Sequence, residues 1–214
     1  MRYHTAMLCT VSLALGTALV GCGLPGKQTD QRRFFMLEAI RRGETTPPET
    51  AHLVTVKRFG MSERFADREL VYRTGEVTYE PDYYNQFLAP ASTMVAEQTH
   101  RWLGDAGLFA AVIGTGSDVL PTHVIEGNVT QLYGDVRDAE TGTARMAVEF
   151  FVLDVAGGGE PAVAFHGQYA AQTPLAPPFS SEGLVKAYNA NLAEILTSFE
   201  TDLRTMFAEQ SPTP

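Results

Sequence analysis

Cysteine is nearly absent from this chain. Two occur in 214 residues, Cys9 and Cys22, and nothing from Gly23 onward carries a thiol. For that long remainder a disulfide framework or a cysteine-based metal site is excluded, so stability must come from an apolar core. Basic residues are also few, 16 Lys and Arg against 25 Asp and Glu, which leaves a net charge of −9. A chain this acidic is a poor binder of nucleic acid, whose phosphates need clustered Lys and Arg. It is equally ill suited to lie electrostatically on anionic lipid headgroups.

Motifs that carry catalysis are missing as well. No HExxH and no G-x-S-x-G occurs. His52, His100, His123 and His166 fall in a loop, a helix and two strands without ligand spacing, so each reads as a core or surface residue. Gly114-Thr115-Gly116-Ser117-Asp118 lacks the Lys-Ser/Thr of a phosphate loop and reads as a turn. Asn128-Val129-Thr130 matches a glycosylation acceptor but sits inside a predicted strand. No cofactor, metal or catalytic residue is expected, and the reading is of a protein that is not an enzyme.

What the N-terminus does have is a clear order. Arg2 supplies a positive charge, and Ala6 to Val20 is a mostly apolar run of fifteen residues. That length suits a secretory signal, whereas a spanning helix needs about 20 residues. It ends in Leu19-Val20-Gly21-Cys22, with small Gly21 directly before the cysteine. The stretch resembles a bacterial lipoprotein signal, in which cleavage precedes a cysteine that is then acylated on its thiol and its new amine. Cys22 is the expected lipidation site. The chain then divides into a signal peptide (1–21), a lipidated tether (22–33), a single α/β domain (34–208) and a disordered tail (209–214). The signal contains Arg2 and no acidic residue, so the remainder carries about −10. Acyl chains would therefore do the anchoring, at ~0.8 kcal/mol per buried methylene.

Beyond the Gly- and Pro-punctuated tether, Phe34 to Leu37 is a short apolar segment and Leu53 to Phe59 a β-branched strand. Leu70 to Arg73 and Val77 to Tyr79 flank Thr74-Gly75-Glu76 as a small hairpin. Pro81 to Pro90 reads as an aromatic approach to a helix that starts near Pro90 and buries Ala91, Met94, Val95, Gln98, Trp102 and Leu103. Ile113 to Ser117 reads as a loop. Thr122 to Tyr133, Ala144 to Asp154 and Val163 to Ala171 alternate in polarity and predict an antiparallel meander with one buried face. On these strands Ile125, Val129 and Tyr133 share one side, as do Val163, Phe165, Tyr169 and Ala171. A last helix, capped by Ser180 or Ser181, carries the stripe Leu184, Val185, Tyr188, Leu192, Ile195, Leu196, Phe199, Leu203 and Met206. The order β, hairpin, α, βββ, α predicts an α+β fold. Its simplest form is a two-layer α/β sandwich with a mostly antiparallel sheet and both helices on one face. Tyr83, Tyr84, Phe87 and Trp102 cluster around the start of the first helix and are the candidate partner-contact residues.

With these residues in place, the chain resembles the ABC-type transport auxiliary lipoproteins, the PqiC-like family, over roughly Phe34 to Leu203. The resemblance lies in the lipobox cysteine, the segment Phe34-Phe35-Met36-Leu37, a strand ending in Tyr72-Arg73, the aromatic lead Tyr83 to Pro90, and the helix end Gly107-Leu108-Phe109. The family commonly has a tryptophan near Phe87, which this chain lacks. The resemblance implies a lipid-anchored accessory of a lipid or organic-solvent transport system, with Mce-type or other ABC transport proteins as partners. Gly23 after Cys22 resembles lipoproteins sorted to the periplasmic face of the outer membrane. A homo-oligomeric collar would suit such a role, though no residue requires it. A second reading, an envelope-assembly lipoprotein that itself binds a lipid or glycan, requires a roomy apolar cavity between sheet and helices.

Overall fold

The structure, a computed structural model, describes residues 31–45 and 47–210; the signal segment, Cys22 and residues 211–214 lie outside the described residues. In chain order the strands and helices are β1 (Arg33–Phe35), β2 (Leu53–Val56), β3 (Gly60–Met61), β4 (Glu69–Arg73), β5 (Tyr79–Phe87), α1 (Ala91–Ala106), β6 (Ala111–Ile113), β7 (His123–Asp135), β8 (Gly142–Asp154), β9 (Ala162–Leu175) and α2 (Ser181–Gln210). A single 3₁₀ turn, Glu63–Phe65, lies between β3 and β4.

The meander is present: β7 pairs antiparallel with β8, and β8 with β9, along almost their whole lengths. The other edge of β7 is shared by three short strands, all parallel to it. β2 pairs at His123 to Ile125, β3 at Asn128 and Val129, and β4 at Gly134 and Asp135. β6 adds beyond β2, while β5 and then β1 add beyond β4. The sheet is therefore mixed, with its long pairings antiparallel. α2 lies across β8 and β9, α1 lies over β2 and β6, and the two helices touch. Among the described residues the fold is α+β, with one sheet and two helices packed on it.

The helix-facing residues of β8 are Met146, Val148, Phe150 and Val152, all essentially fully buried, as their alternation predicts. On β7 a bulge between Val129 and Gln131 reverses the alternation. Leu132 and Gly134 thereby join Ile125 and Val129 on the helix side, facing Met146 and Ala144. Tyr133, expected on that same side, turns to the opposite face and stacks on Phe65 at 5.8 Å. An irregularity at Val152/Leu153 does the same to β9, and Val163 leaves the buried face to stand 62% exposed.

Four boundaries differ from the sequence expectation. The segment from Pro81, expected as a lead-in, is strand: Leu70, Val71 and Tyr72 pair with Asp82, Pro81 and Glu80. β1 covers only Asn85 to Phe87, so Pro81 lies where β5 has a free side and its missing N–H costs no ladder bond. Ala111 to Ile113 pairs with β2 as an edge strand too short for periodicity to reveal. Arg33 already belongs to β1, and α2 runs two residues past the expected 208.

Both helices bury the faces their spacing predicts. Pro90 precedes α1, and Gly107 ends it at φ 66°, a left-handed conformation that glycine adopts without strain. Ser180 caps α2, its hydroxyl accepting the Gly183 N–H at 3.0 Å. At the last turn Phe207, 2% exposed, takes the inward place beside half-buried Met206. The centre of the core is aromatic. Phe150 stacks on Phe199 of α2 at 4.1 Å between centroids, and Phe59 meets Phe150 edge-on at 5.6 Å. Phe59 occupies the space over Gly127, where a Cβ would stand 2.5 Å from its ring. Gly127→Ala is therefore expected to cost about 1–3 kcal/mol by overpacking. Gly157→Ala, where a Cβ meets open space, should change stability by less than about 0.5 kcal/mol. Denaturant unfolding of both variants tests the pair.

Candidate functional site

Cys22, the expected lipidation site, lies outside the described residues. The four aromatics proposed for partner contact are all described, and the structure divides them. Phe87 is 2% exposed and packs toward Tyr188 of α2, while Trp102 is 4% exposed and lies in the core. Tyr83 and Tyr84 stand at the surface, 59% and 45% exposed, with rings edge-to-face at 5.3 Å.

What pushes the two tyrosines out is a local hydrogen-bond pattern. The ladder between β4 and β5 skips from the Leu70–Asp82 pair to the Glu69–Gln86 pair, leaving residues 83–85 as an excursion. Asp82 Oδ1 accepts the N–H groups of Tyr84 (3.0 Å) and Asn85 (3.1 Å), and Oδ2 accepts Asn85 Nδ2 at 2.9 Å. This carboxylate holds the excursion in place of ladder bonds. Beside it, β1 exposes Phe34 (51%), the following Met36 is 50% exposed, and Leu88 past the end of β5 is 53% exposed. Phe34 pairs with Gln86, and Leu88 N–H bonds the Phe35 carbonyl at 2.8 Å, so these residues lie along one strand pair. The Arg32 guanidinium lies 4.3 Å from the centroid of the Tyr83 ring. The alternation Phe34 and Met36 outward against Phe35 and Leu37 inward was readable in the sequence, and it marks the part of this surface that aromatic counting missed.

Trp102 serves a different centre. Its Nε1–H donates to Glu200 Oε2 at 2.8 Å. Arg41 reaches the same carboxylate with two bonds, of 2.9 and 2.8 Å, and Arg204 adds another at 2.8 Å. Arg204 also pairs with Glu49 and donates to the Ala106 carbonyl at 2.6 Å. Burial by itself would raise the pKa of Glu200, but the hydrogen bonds from Arg41, Arg204 and Trp102 outweigh it and hold the carboxyl below its ordinary range. The cluster ties the segment after β1 to α1 and α2. Two further bonds follow that path, Glu38 N–H to Asn189 and Ala39 N–H to Gln98.

An open groove of about 620 Å³ runs between β2, α1 and the turn at Gly114 and Thr115, with Lys57, Arg58, His100 and Arg101 on its walls. Lys57 is engaged by Glu126 at 2.8 Å. By contrast, the layer between β8–β9 and α2, where a lipid-carrying fold would be hollow, is filled by Phe150, Phe165, Tyr169 and Phe199. His52 and His123 do meet, edge-on at 4.6 Å, and both rings pack on Phe207. His166 stacks on Phe151 and bonds Glu149 at 2.8 Å. Among the described residues, no three His, Cys, Asp or Glu side chains are grouped to hold a metal, and no helix is long and apolar enough to cross a membrane. Ser117 N–H closes a turn onto the Gly114 carbonyl at 3.0 Å, and Asn128 lies inside β7 opposite Gly60.

No family model matches the chain, and no curated protein matches it. Solved structures do. A Xanthomonas campestris protein of the family designated DUF330 superimposes at a TM-score of 0.68, with 12% identity over 86% of this chain and 98% of its own. A second, uncharacterized protein does so at 0.59, also at 12% identity, over 81% and 99%. At these identities the likeness is one of fold. A Caulobacter crescentus protein described as a candidate lipoprotein shares 18% identity over 57% of this chain and 86% of its own, at the lower TM-score of 0.42.

Two outcomes follow from the polar centres. Glu200→Ala leaves Arg41 and the Trp102 N–H buried without their acceptor, an expected loss of about 3–5 kcal/mol in denaturant unfolding. For His123, burial is the main cause that lowers its pKa, with His52 adding to it and Asp154 opposing. The folded state thus keeps His123 neutral, while the unfolded chain takes up a proton below about pH 6.5. Stability is full above that pH and falls as the pH drops toward the lowered folded value. Unfolding free energy should decline as the pH falls below about 6.5, and His123→Phe should flatten that decline.

Proposed function

We propose that this protein is a lipid-anchored, non-catalytic docking component of an ABC-type transport system for lipids or organic solvents, held on the periplasmic face of the outer membrane through Cys22. The observation that carries the reading is the lipobox Leu19-Val20-Gly21-Cys22, followed in the chain by the compact unit that begins at Arg32. The motifs behind the family resemblance support it further, because each has a defined place in the fold. Phe34 and Phe35 lie in β1, Tyr72-Arg73 ends β4, Tyr83 to Phe87 completes β5 before α1, and Gly107 terminates that helix. The likeness to a DUF330 structure agrees with this at the level of fold. The filled layer beneath α2 favours a body that docks over one that carries a lipid or glycan inside.

Metabolic labelling with palmitate should mark the wild-type chain and leave Cys22→Ser unlabelled. Crosslinking in intact cells, followed by purification, should recover a transporter-linked protein beside the wild type. An unlabelled wild type, or neighbours that include no transport component, overturns the reading.

A further inference from the structure

The exposed strip on β1 and β5 has a position that its composition makes meaningful. The compact unit that holds the sheet begins at Arg32, whose guanidinium lies over Tyr83. Nine residues lie between Cys22 and Arg32, ten Cα-to-Cα steps that span at most roughly 33–36 Å when fully extended. An acyl group on Cys22 therefore confines the body near a bilayer, with this end of the sheet closest along the chain. The strip is apolar and aromatic with cations at its margin: Phe34, Met36, Tyr83, Tyr84 and Leu88, with Arg32 over Tyr83 and Arg68 donating to the Leu88 carbonyl at 3.3 Å. Tyrosine rings and arginines are the residue types that settle at the headgroup boundary, ring in the acyl edge and polar group in water.

The acidity of the body opposes such contact, so burial of the apolar strip must outweigh it, helped by the cations at its margin. Beside the strip, Asp82 accepts the excursion's own N–H groups and Glu69 accepts the Gln86 side-chain N–H at 3.0 Å, so both carboxylates are held by hydrogen bonds within the fold. We propose that Phe34, Met36, Tyr83, Tyr84 and Leu88 form a membrane-resting face, seated in the interfacial layer of the bilayer that holds the acylated Cys22. The proposal rests on the lipoprotein reading above. It fixes how the body stands: the β1 end of the sheet faces lipid. The end of β7 that pairs with β2 lies some ten residues along the strand from the end that pairs with β4, about 33 Å, and projects from the membrane.

The test uses the full-length acylated protein reconstituted in phosphatidylethanolamine–phosphatidylglycerol vesicles whose acyl chains are brominated. Trp102 is buried and serves as the internal reference. Tyr83→Trp and Phe34→Trp each add an exposed indole to the strip, while Val163→Trp adds one beside Leu153 at the far end. Brominated lipid should quench the added emission of the two strip variants about twofold, as expected for an indole at the interface, and leave wild type and Val163→Trp unchanged. Strip indoles that escape lipid quenching overturn the proposal. If they are then shielded from acrylamide, a protein surface such as a second copy covers them, and if they are open to acrylamide, nothing does. Intact mass measured on the same samples separates the two readings. A chain without acyl groups overturns both, whereas an acylated chain with unquenched strip indoles overturns only this one.

Discussion

Almost every part of the sheet depends on both edges of β7 being occupied. One edge carries the long antiparallel pairing with β8, and the other holds β2, β3 and β4 in succession. Strands of two to five residues have too few ladder bonds to persist alone. Laid side by side along one long strand, they form an extended sheet edge. Each then carries outward a further short strand, β6 from β2 and β5 with β1 from β4. The bulge after Val129 lets this arrangement satisfy both faces. It keeps Leu132 and Gly134 under the helices while turning Tyr133 to the group formed with Phe65 and Tyr79. Gly127 contributes through its missing side chain, since Phe59 fills that place and extends the aromatic column from the sheet into α2.

The helical layer has a polar counterpart to that column. Glu200 is buried and charged, an arrangement that is costly unless every acceptor site is used. Here Arg41, Arg204 and Trp102 use them, from three separate parts of the chain. Charge pairing of this kind adds less net stability than hydrophobic packing, but its geometry is strict. It sets where the segment after β1 crosses the helices, and so it also sets where the strip beginning at Phe34 emerges. The core thereby determines the orientation of the surface on which the membrane-facing proposal rests.

The strongly periodic parts of the fold were legible in the sequence. β8 alternates without interruption, and both helices show the buried stripes their spacing predicts, because in each the pattern and the packing follow the same period. The misreadings fall where a tertiary contact interrupts the period. Tyr133 and Val163 change face at bulges that depend on a neighbouring strand's register. Residues 79–87 form a strand because Asp82 satisfies the backbone of the excursion inside it. β3 and β6 are too short to carry a pattern, and they exist through pairing with β7 and β2.

The candidate surface divides along the same line. By itself the sequence determined the motif Leu19-Val20-Gly21-Cys22, the acidic remainder without thiols beyond it, the α+β class and the presence of an aromatic group near the first helix. Only the tertiary structure decided that Phe87 and Trp102 belong to the core while Tyr83 and Tyr84 stand outside with Phe34, Met36 and Leu88. The reason is physical. Composition and periodicity are properties of a contiguous stretch, so the chain carries them before it folds. Which aromatic is covered depends on what packs against it, and Tyr188, Glu200 and Arg32 all come from distant parts of the chain.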